Sequence, residues 1–240
     1  MIKPQPFTAT VISNEYIAKE TRKTVFTIGS KFDIQFSTGQ FFNIKVPAKN
    51  PDEKMVMRAY SIASSSSRLP EFELCVKVVE NGKGSGYIDK MKAGDKIKMM
   101  GPFGHFGKKS EESKTIMIAT GTGIAPMKAV CDELSEEHFE YGALLIFGVS
   151  QAEYASYDEY FTEMSEEHEN FEYKLYVSRP NKNFTGNIGR VTAWLETQDV
   201  SDFENTEVLI CGNPAMVKEV KKTLIDDFGI EKGDVVVEAY

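Results

Sequence analysis

The chain has 240 residues and a mass of 26.9 kDa, room for two compact domains, with 41% hydrophobic and 27% charged residues and a net charge of −8. That composition excludes disorder, collagen and coiled coil, and the apolar runs, such as residues 142–147, are far too short to span a membrane. Cys75, Cys131 and Cys211 are too few and too scattered for a disulfide framework or a four-thiolate iron–sulfur cluster, and His105, His138 and His168 lack metal-ligand spacing. No metal site is expected. Without a secretory start the chain reads as soluble and cytoplasmic, and with no association stripe it reads as a monomer away from any membrane.

The first half is patterned as strands. Residues 8–13, 24–28, 40–46, 59–64, 71–79 and 96–100 are short and rich in β-branched and aromatic side chains, bounded by Gly, Pro, Asn and Ser. Such a series predicts an antiparallel β-barrel, with a short helical turn over 86–92 able to plug one end. A polar stretch over 108–114 then separates two periodicities, which puts the domain boundary between residues 110 and 111. Beyond it, apolar strands at 115–120, 143–149, 173–178, 208–211 and 235–237 alternate with amphipathic helices. Met127, Val130, Cys131 and Leu134 mark the first helix, Tyr157, Tyr160, Phe161 and Met164 the second, and Met216, Val217, Val220 and Leu224 a third. Strand–helix alternation predicts a doubly wound, parallel, five-stranded α/β sheet that binds ligands at the carboxyl ends of its strands.

Four segments carry candidate chemistry. Thr120-Gly121-Thr122-Gly123-Ile124-Ala125-Pro126 sits where a strand gives way to a helix, so its glycines and the helix start read either as a phosphate cradle or as a plain tight turn. Arg58-Ala59-Tyr60-Ser61 offers a guanidinium, a ring and a hydroxyl that can hold the phosphate, flat ring and polar ring edge of one ligand, or else is a surface Arg beside a core Tyr. Gly82-Lys83-Gly84-Ser85-Gly86 repeats the cradle pattern or is a flexible turn. Cys211-Gly212-Asn213-Pro214 puts a thiol at a strand's carboxyl end, where a buried Cys more commonly acts as a small hydrophobe.

In this order, together with Leu74-Cys75-Val76-Lys77, Gly101-Pro102 with Gly104, Val177-Ser178-Arg179 and the final Glu238-Ala239-Tyr240, these segments resemble the ferredoxin–NADP reductase family, its plant-type members in particular, without an iron–sulfur domain. The resemblance implies an FAD-binding barrel followed by a nicotinamide-dinucleotide domain. It implies that Arg58 pairs with the FAD phosphate, that Tyr60, next to Ala59, lies against the isoalloxazine, and that Ser61 bonds near flavin N5. The Gly84-Ser85 turn would meet the pyrophosphate, with Lys77 and its neighbours Cys75 and Val76 close by. Thr120, Gly121, Thr122, Gly123 and Pro126 would cradle the nicotinamide dinucleotide. Cys211, followed by Gly212, would stand beside the hydride-transferring carbon, Glu238 would serve Ser61 in a proton or positioning role, and Tyr240 would cover the flavin. Ser61, Cys211, Glu238 and Tyr240 are thus the expected catalytic set.

The implied function is electron transfer between NADP(H) and a one-electron carrier, ferredoxin or flavodoxin, by hydride transfer to or from flavin N5, with FAD preferred to FMN. Residues 1–114 carry 19 Lys+Arg against 12 Asp+Glu, a balance of +7, whereas residues 115–240 carry 9 against 24, a balance of −15. A basic flavin half suits an acidic carrier; dispersed basic residues without interleaved aromatics do not suit nucleic acid. Ser178, Arg179 and Arg190 are the candidates for the 2′-phosphate of NADP(H), favoured over NAD(H), although Thr185-Gly-Asn-Ile-Gly-Arg190 replaces the Lys- and Tyr-bearing plant-type segment. The alternative is an NADH-dependent reductase component of a multicomponent oxygenase or similar complex. A third reading is a flavoprotein subunit that docks without turnover of its own.

Overall fold

The computed structural model describes residues 3–48, 55–110 and 112–240 and contains two six-stranded sheets. The first comprises β1 (Gln5–Ala18), β2 (Thr21–Ile28), β3 (Phe41–Val46), β4 (Val56–Ser61), β5 (Glu71–Lys77) and β6 (Lys96–Phe103), antiparallel in the order β4-β3-β6-β1-β2-β5. Alternation sends Phe7, Ala9 and Val11 of β1 and Phe42, Ile44 and Val46 of β3 inward. Phe42 meets Phe7 and Phe72 edge-on, with centroids 4.9 and 5.0 Å apart. The sheet curls until its ends meet at the Ile62–Leu74 bridge, which makes it the expected barrel. Helix α1 (Lys83–Ile88) adds Ile88 to this core.

Two local expectations shift. β1 does not stop before Asn14, because that residue is used rather than exposed: its amide donates to the carbonyls of Ile88 at 2.8 Å and Met91 at 2.9 Å, and its oxygen accepts the Thr24 hydroxyl. The short helix begins earlier than residue 86, because the Ser85 hydroxyl accepts the Val79 N–H and folds the preceding glycine-rich residues into its first turn.

The second sheet holds β7 (Lys114–Thr120), β8 (Ala143–Val149), β9 (Phe171–Val177), β10 (Asn187–Ile188), β11 (Thr206–Gly212) and β12 (Val235–Ala239), all parallel, in the order β10-β9-β8-β7-β11-β12. The five expected strands are present, and β10 adds a sixth of only two exposed residues. β8 and β11 are buried along their whole length, as strands covered on both faces must be. On one face Met117, Ala119, Leu145 and Phe147 pack against α2 (Ile124–Glu136) and α3 (Asp158–Glu167). On the other, Ile116, Ile118, Leu144 and Ile146 meet α4 (Thr192–Leu195) and α5 (Pro214–Lys222). Among the described residues no helix is long and apolar enough to cross a membrane.

The barrel docks on the α2–α3 face through buried polar groups. Tyr157 donates its hydroxyl to Glu73 of β5 at 2.6 Å, and Arg68 lies 3.7 Å from the other carboxylate oxygen. Burial pushes the Glu73 carboxyl up, while Lys128 and the Tyr157 bond pull it back. Removing the hydroxyl strands a carboxylate that is nearly inaccessible to water. Tyr157→Phe is therefore expected to lower the unfolding free energy by about 2 kcal/mol in urea titration; a loss under about 0.5 kcal/mol would mean the pair holds nothing together.

Candidate active site

In the second sheet the chain runs outward from β7 through β8 to β9, then returns to place β11 on the other side of β7. The crevice beyond the carboxyl ends of β7 and β11 is where such a sheet accepts a ligand. Local chemistry shapes it. Gly121 turns at φ +57° with open space where a side chain would stand, and Gly123 packs so closely on the Cys211 carbonyl that no Cβ fits. The Thr120 hydroxyl accepts the Asn213 N–H at 3.0 Å, and Asn213 in turn caps α5 through the Ala215 N–H at 2.9 Å. A cavity of about 620 Å³ opens over these loops, with Gly121, Thr122, Ser178, Arg190, Gly212 and Tyr240 on its wall.

Behind Tyr240, which is on the wall, the barrel contributes Ser61, the last residue of β4, not itself a wall residue. Its hydroxyl donates to Glu238 Oε1 at 3.2 Å, and Glu238 stands in register beside Cys211 across β12 and β11. The Cys211 thiol donates to the Tyr240 hydroxyl at 3.2 Å, which donates to the Thr122 carbonyl at 3.1 Å. The structure thus gathers Ser61, Cys211, Glu238 and Tyr240 at a single junction of the two domains. Burial pushes the Cys211 thiol up to about 12, with the Glu238 charge adding to this and the Tyr240 bond opposing it. At neutral pH that sulfur is a thiol and cannot serve as a thiolate nucleophile. Burial also raises the Glu238 carboxyl, and the Ser61 bond partly offsets the rise.

β4 is an edge strand, so its outer side offers backbone groups unpaired by a sheet neighbour. Arg58 and Ala59 are exposed on it and Tyr60 and Ser61 half-buried. Burial pushes the Tyr60 hydroxyl up to about 12, against the opposing Arg58 charge. Gly84 faces these residues: a Cβ there would lie 2.8 Å from Arg58 Cγ and 2.9 Å from the Tyr60 hydroxyl. A guanidinium, a ring and a glycine-walled helix start beside a free strand edge fit the phosphate and the flat ring of a flavin nucleotide.

The other expected contacts differ in access. Lys77 is exposed and reaches the cavity wall. Ser85 is buried with its hydroxyl committed to Val79. Cys75 packs in the core under α2 and α3 and Val76 in the barrel core, leaving only their backbones for a ligand. Gly123 and Pro126 are buried and shape the loop from behind. Arg179 is exposed, with its N–H held by the Ser150 carbonyl at 2.8 Å, and is not on the wall where Arg190 stands. Sequence reasoning missed Asn213 as the residue locking the two strand ends together, although Asn directly before Pro214 is a helix-cap signal. It also missed further wall residues, Thr21, Ser150, Tyr154 and Ser156 among them, which carry no local signal.

Residues 8–107 match the oxidoreductase FAD-binding domain family and residues 117–222 the oxidoreductase NAD-binding domain family. Over its full length the chain is 27% identical to ferredoxin–NADP reductase B of Sorangium cellulosum (strain So ce56), and it covers all of that protein. It is 30% identical over 222 residues to NADH-cytochrome b5 reductase 1 of Dictyostelium discoideum, a match spanning 90% of this chain and 77% of the other. Its fold superposes on the Amycolatopsis cytochrome P450 reductase GcoB with a TM-score of 0.85 at 24% identity, covering 100% of this chain and 71% of that one. With both domain matches in the expected order and a full-length reductase relative, the chain belongs to the ferredoxin–NADP reductase family of flavin-dependent NAD(P)H oxidoreductases.

Proposed function

We propose that this protein moves electrons between NADP(H) and a small acidic one-electron carrier of the ferredoxin or flavodoxin kind, with a barrel of residues 1–110 holding FAD and residues 111–240 holding the nucleotide. The meeting of the Ser61–Glu238 pair with the Cys211–Tyr240–Thr122 chain, whose Tyr240 and Thr122 reach the cavity wall, carries this reading. Bound FAD would supply the interchange between two-electron hydride chemistry and one-electron transfer. Arg58, with the first turn of α1 at Gly84 and Ser85, would hold its pyrophosphate, and Tyr60 would lie against its ring, flanked by Ala59. The backbones of Cys75 and Val76 would line the same strand. The Ser61 hydroxyl and the Glu238 carboxylate form a pair able to take up or release a proton next to that ring. Thr120, Gly121 and Thr122, backed by Gly123 and Pro126, would cradle the nicotinamide nucleotide, with Gly212, packed tightly on Thr120, on the same wall. The neutral Cys211 thiol is a compact apolar neighbour for the reacting carbon. Tyr240, 53% exposed and tethered by one hydroxyl, would swing aside to admit the nicotinamide.

Arg190 would read the 2′-phosphate, with Ser178 beside it and Arg179 reaching in from outside the wall. Arg190→Ala is expected to weaken NADPH binding by about tenfold or more and leave NADH binding unchanged. The second reading, an NADH-dependent reductase component of an oxygenase or similar complex, is favoured by the placement of Arg179 off the cavity wall. Equal small effects of Arg190→Ala on both nucleotides would select it. The balance of +7 over residues 1–114 supports docking of an acidic carrier on the barrel. Carrier reduction should then slow as salt rises from 20 to 300 mM, about tenfold or more; a flat salt profile would remove the steering argument.

A further inference from the structure

We infer that Glu73 is a positioning residue for the reaction, holding Ser61 in reach of Glu238 through its bond to Tyr157, an inference that rests on the Ser61–Glu238 reading above. Ser61 stands at the seam of the barrel. It ends the edge strand β4, and the sheet closes at the next residue, through the Ile62–Leu74 bridge. Glu73, directly before Leu74, fastens that seam with its main chain. Its carbonyl accepts the Ala63 N–H at 2.8 Å, and its N–H donates to the Ser64 hydroxyl at 3.1 Å. Its side chain reaches the other domain, where the Tyr157 hydroxyl donates to Oε1 at 2.6 Å. One residue, 3% exposed, thus grips both the segment that follows Ser61 and the residue that opens α3.

Tyr157 is a rigid partner. It is buried at φ +63°, a left-handed conformation that a bulky residue keeps only where its surroundings fix it. Its ring meets Tyr160 and Phe161 edge-on, with centroids 6.5 and 6.3 Å away. A fixed donor on one domain and a carboxylate on the barrel seam set the separation of the two. That separation decides whether Ser61 and Glu238, which belong to different domains, meet at 3.2 Å. Other ties between the domains hold it less well. Lys19 and Glu153 are exposed and lie at the β1–β2 turn, away from the seam. Ser67 donates to Glu136 of α2 from the loop after the seam, but this bond too is exposed, and water competes for it. Without the Tyr157 hydroxyl the Glu73 carboxylate would turn to Arg68, 3.7 Å away on the barrel, and the seam would lose its buried hold on the second domain. Small misplacements of this kind at a reacting centre are costly in rate.

The test is anaerobic stopped-flow bleaching of the flavin-loaded full chain by whichever of NADPH and NADH bleaches the wild type faster. A concentration series gives the limiting rate and the nucleotide dissociation constant separately. Tyr157→Phe should cut the limiting rate about tenfold and leave the dissociation constant within about twofold. Glu73→Gln, whose amide oxygen still accepts the Tyr157 hydroxyl, should keep most of the rate. Tyr160→Phe is the structural control. It deletes a bond of the same 2.6 Å from the same helix, but to Asp132 of its own domain, and its limiting rate should stay within about twofold of the wild type. In a Ser61→Ala background, Tyr157→Phe should slow bleaching by no more than about a further twofold, because the contact it positions is already gone. Three results would overturn the inference: equal slowing by Tyr157→Phe and Tyr160→Phe, a raised dissociation constant with an unchanged limiting rate, or a fully additive loss in the double variant. Ser61→Ala bleaching as fast as the wild type would defeat the Ser61–Glu238 reading itself, and this inference with it, an outcome separate from these three.

Discussion

Gly123→Ala is expected to slow nucleotide-driven flavin reduction by about a hundredfold or more. The added methyl would run into the Cys211 carbonyl and come within 2.8 Å of Gly212 Cα, both backbone atoms of the fully buried strand β11. Neither can rotate away, so the loop from Thr120 to Gly123 must lift off the strand end. Lifting it moves the Thr122 carbonyl from the Tyr240 hydroxyl and the Thr120 hydroxyl from the Asn213 N–H, which together set the floor of the cavity. Overpacking at such a contact costs about 1–3 kcal/mol, so the variant should fold with a lowered melting temperature. Gly121→Ala is the control: its φ of +57° imposes strain, but the space beside it is open. Its loss should be milder, close to the 1–2 kcal/mol of left-handed strain, or about tenfold. Equal effects of the two substitutions in stopped-flow reduction would show that the contact with β11 is not what shapes the loop.

Glu238→Gln is expected to lower carrier reduction by about a hundredfold at pH 8 and to remove its pH dependence on the acid side. Burial raises the Glu238 carboxyl above its ordinary value, so the ionised form is the penalised one. Only the ionised form can accept a proton from Ser61. The rate should therefore rise with pH through an inflection above the ordinary carboxylate value of about 4.3, and the glutamine variant should lack it. The stability effect has the opposite sign. A carboxyl whose folded pKa is raised favours the folded state below that pKa, and this contribution is lost as pH rises through it. The glutamine variant should thus be at least as stable as the wild type at pH 8. A variant that is both slow and markedly unstable there would point to a structural role for Glu238 instead.

Much of this architecture was legible because the two halves obey different periods. Alternation in β1, β3 and β6 marked one-sided burial, and the fully apolar β8 marked a strand covered on both faces. What stayed hidden depends on tertiary contacts. Asn14 has the chemistry of a strand breaker until Ile88 and Met91 offer it carbonyls. β10 has two exposed residues and pairs only with β9, so no pattern announces it. The junction residues were readable through motif order, since Ser61, Cys211 and Glu238 each lie within one residue of a strand's carboxyl end. Their hydrogen bonds were not, because Ser61 and Glu238 lie 177 residues apart and meet only when the domains dock. Lys128 and Glu73 had ordinary surface-charge identities, yet both are buried at the domain interface. Tyr154 likewise comes under the Lys19 and Lys77 ammonium groups only once the β1–β2 hairpin closes over its loop.

The central claim is that reduced nicotinamide nucleotide delivers its electrons to a flavin at the Ser61–Cys211–Glu238 junction. The most direct measurement is anaerobic stopped-flow absorbance of the purified, flavin-loaded protein mixed with NADPH or with NADH at equal concentration. Rapid bleaching by NADPH with slow bleaching by NADH is the predicted result. A clear preference for NADH would transfer the chain to the oxygenase-type reading, and a flavin bleached by neither nucleotide would contradict the claim and leave a docking subunit in its place.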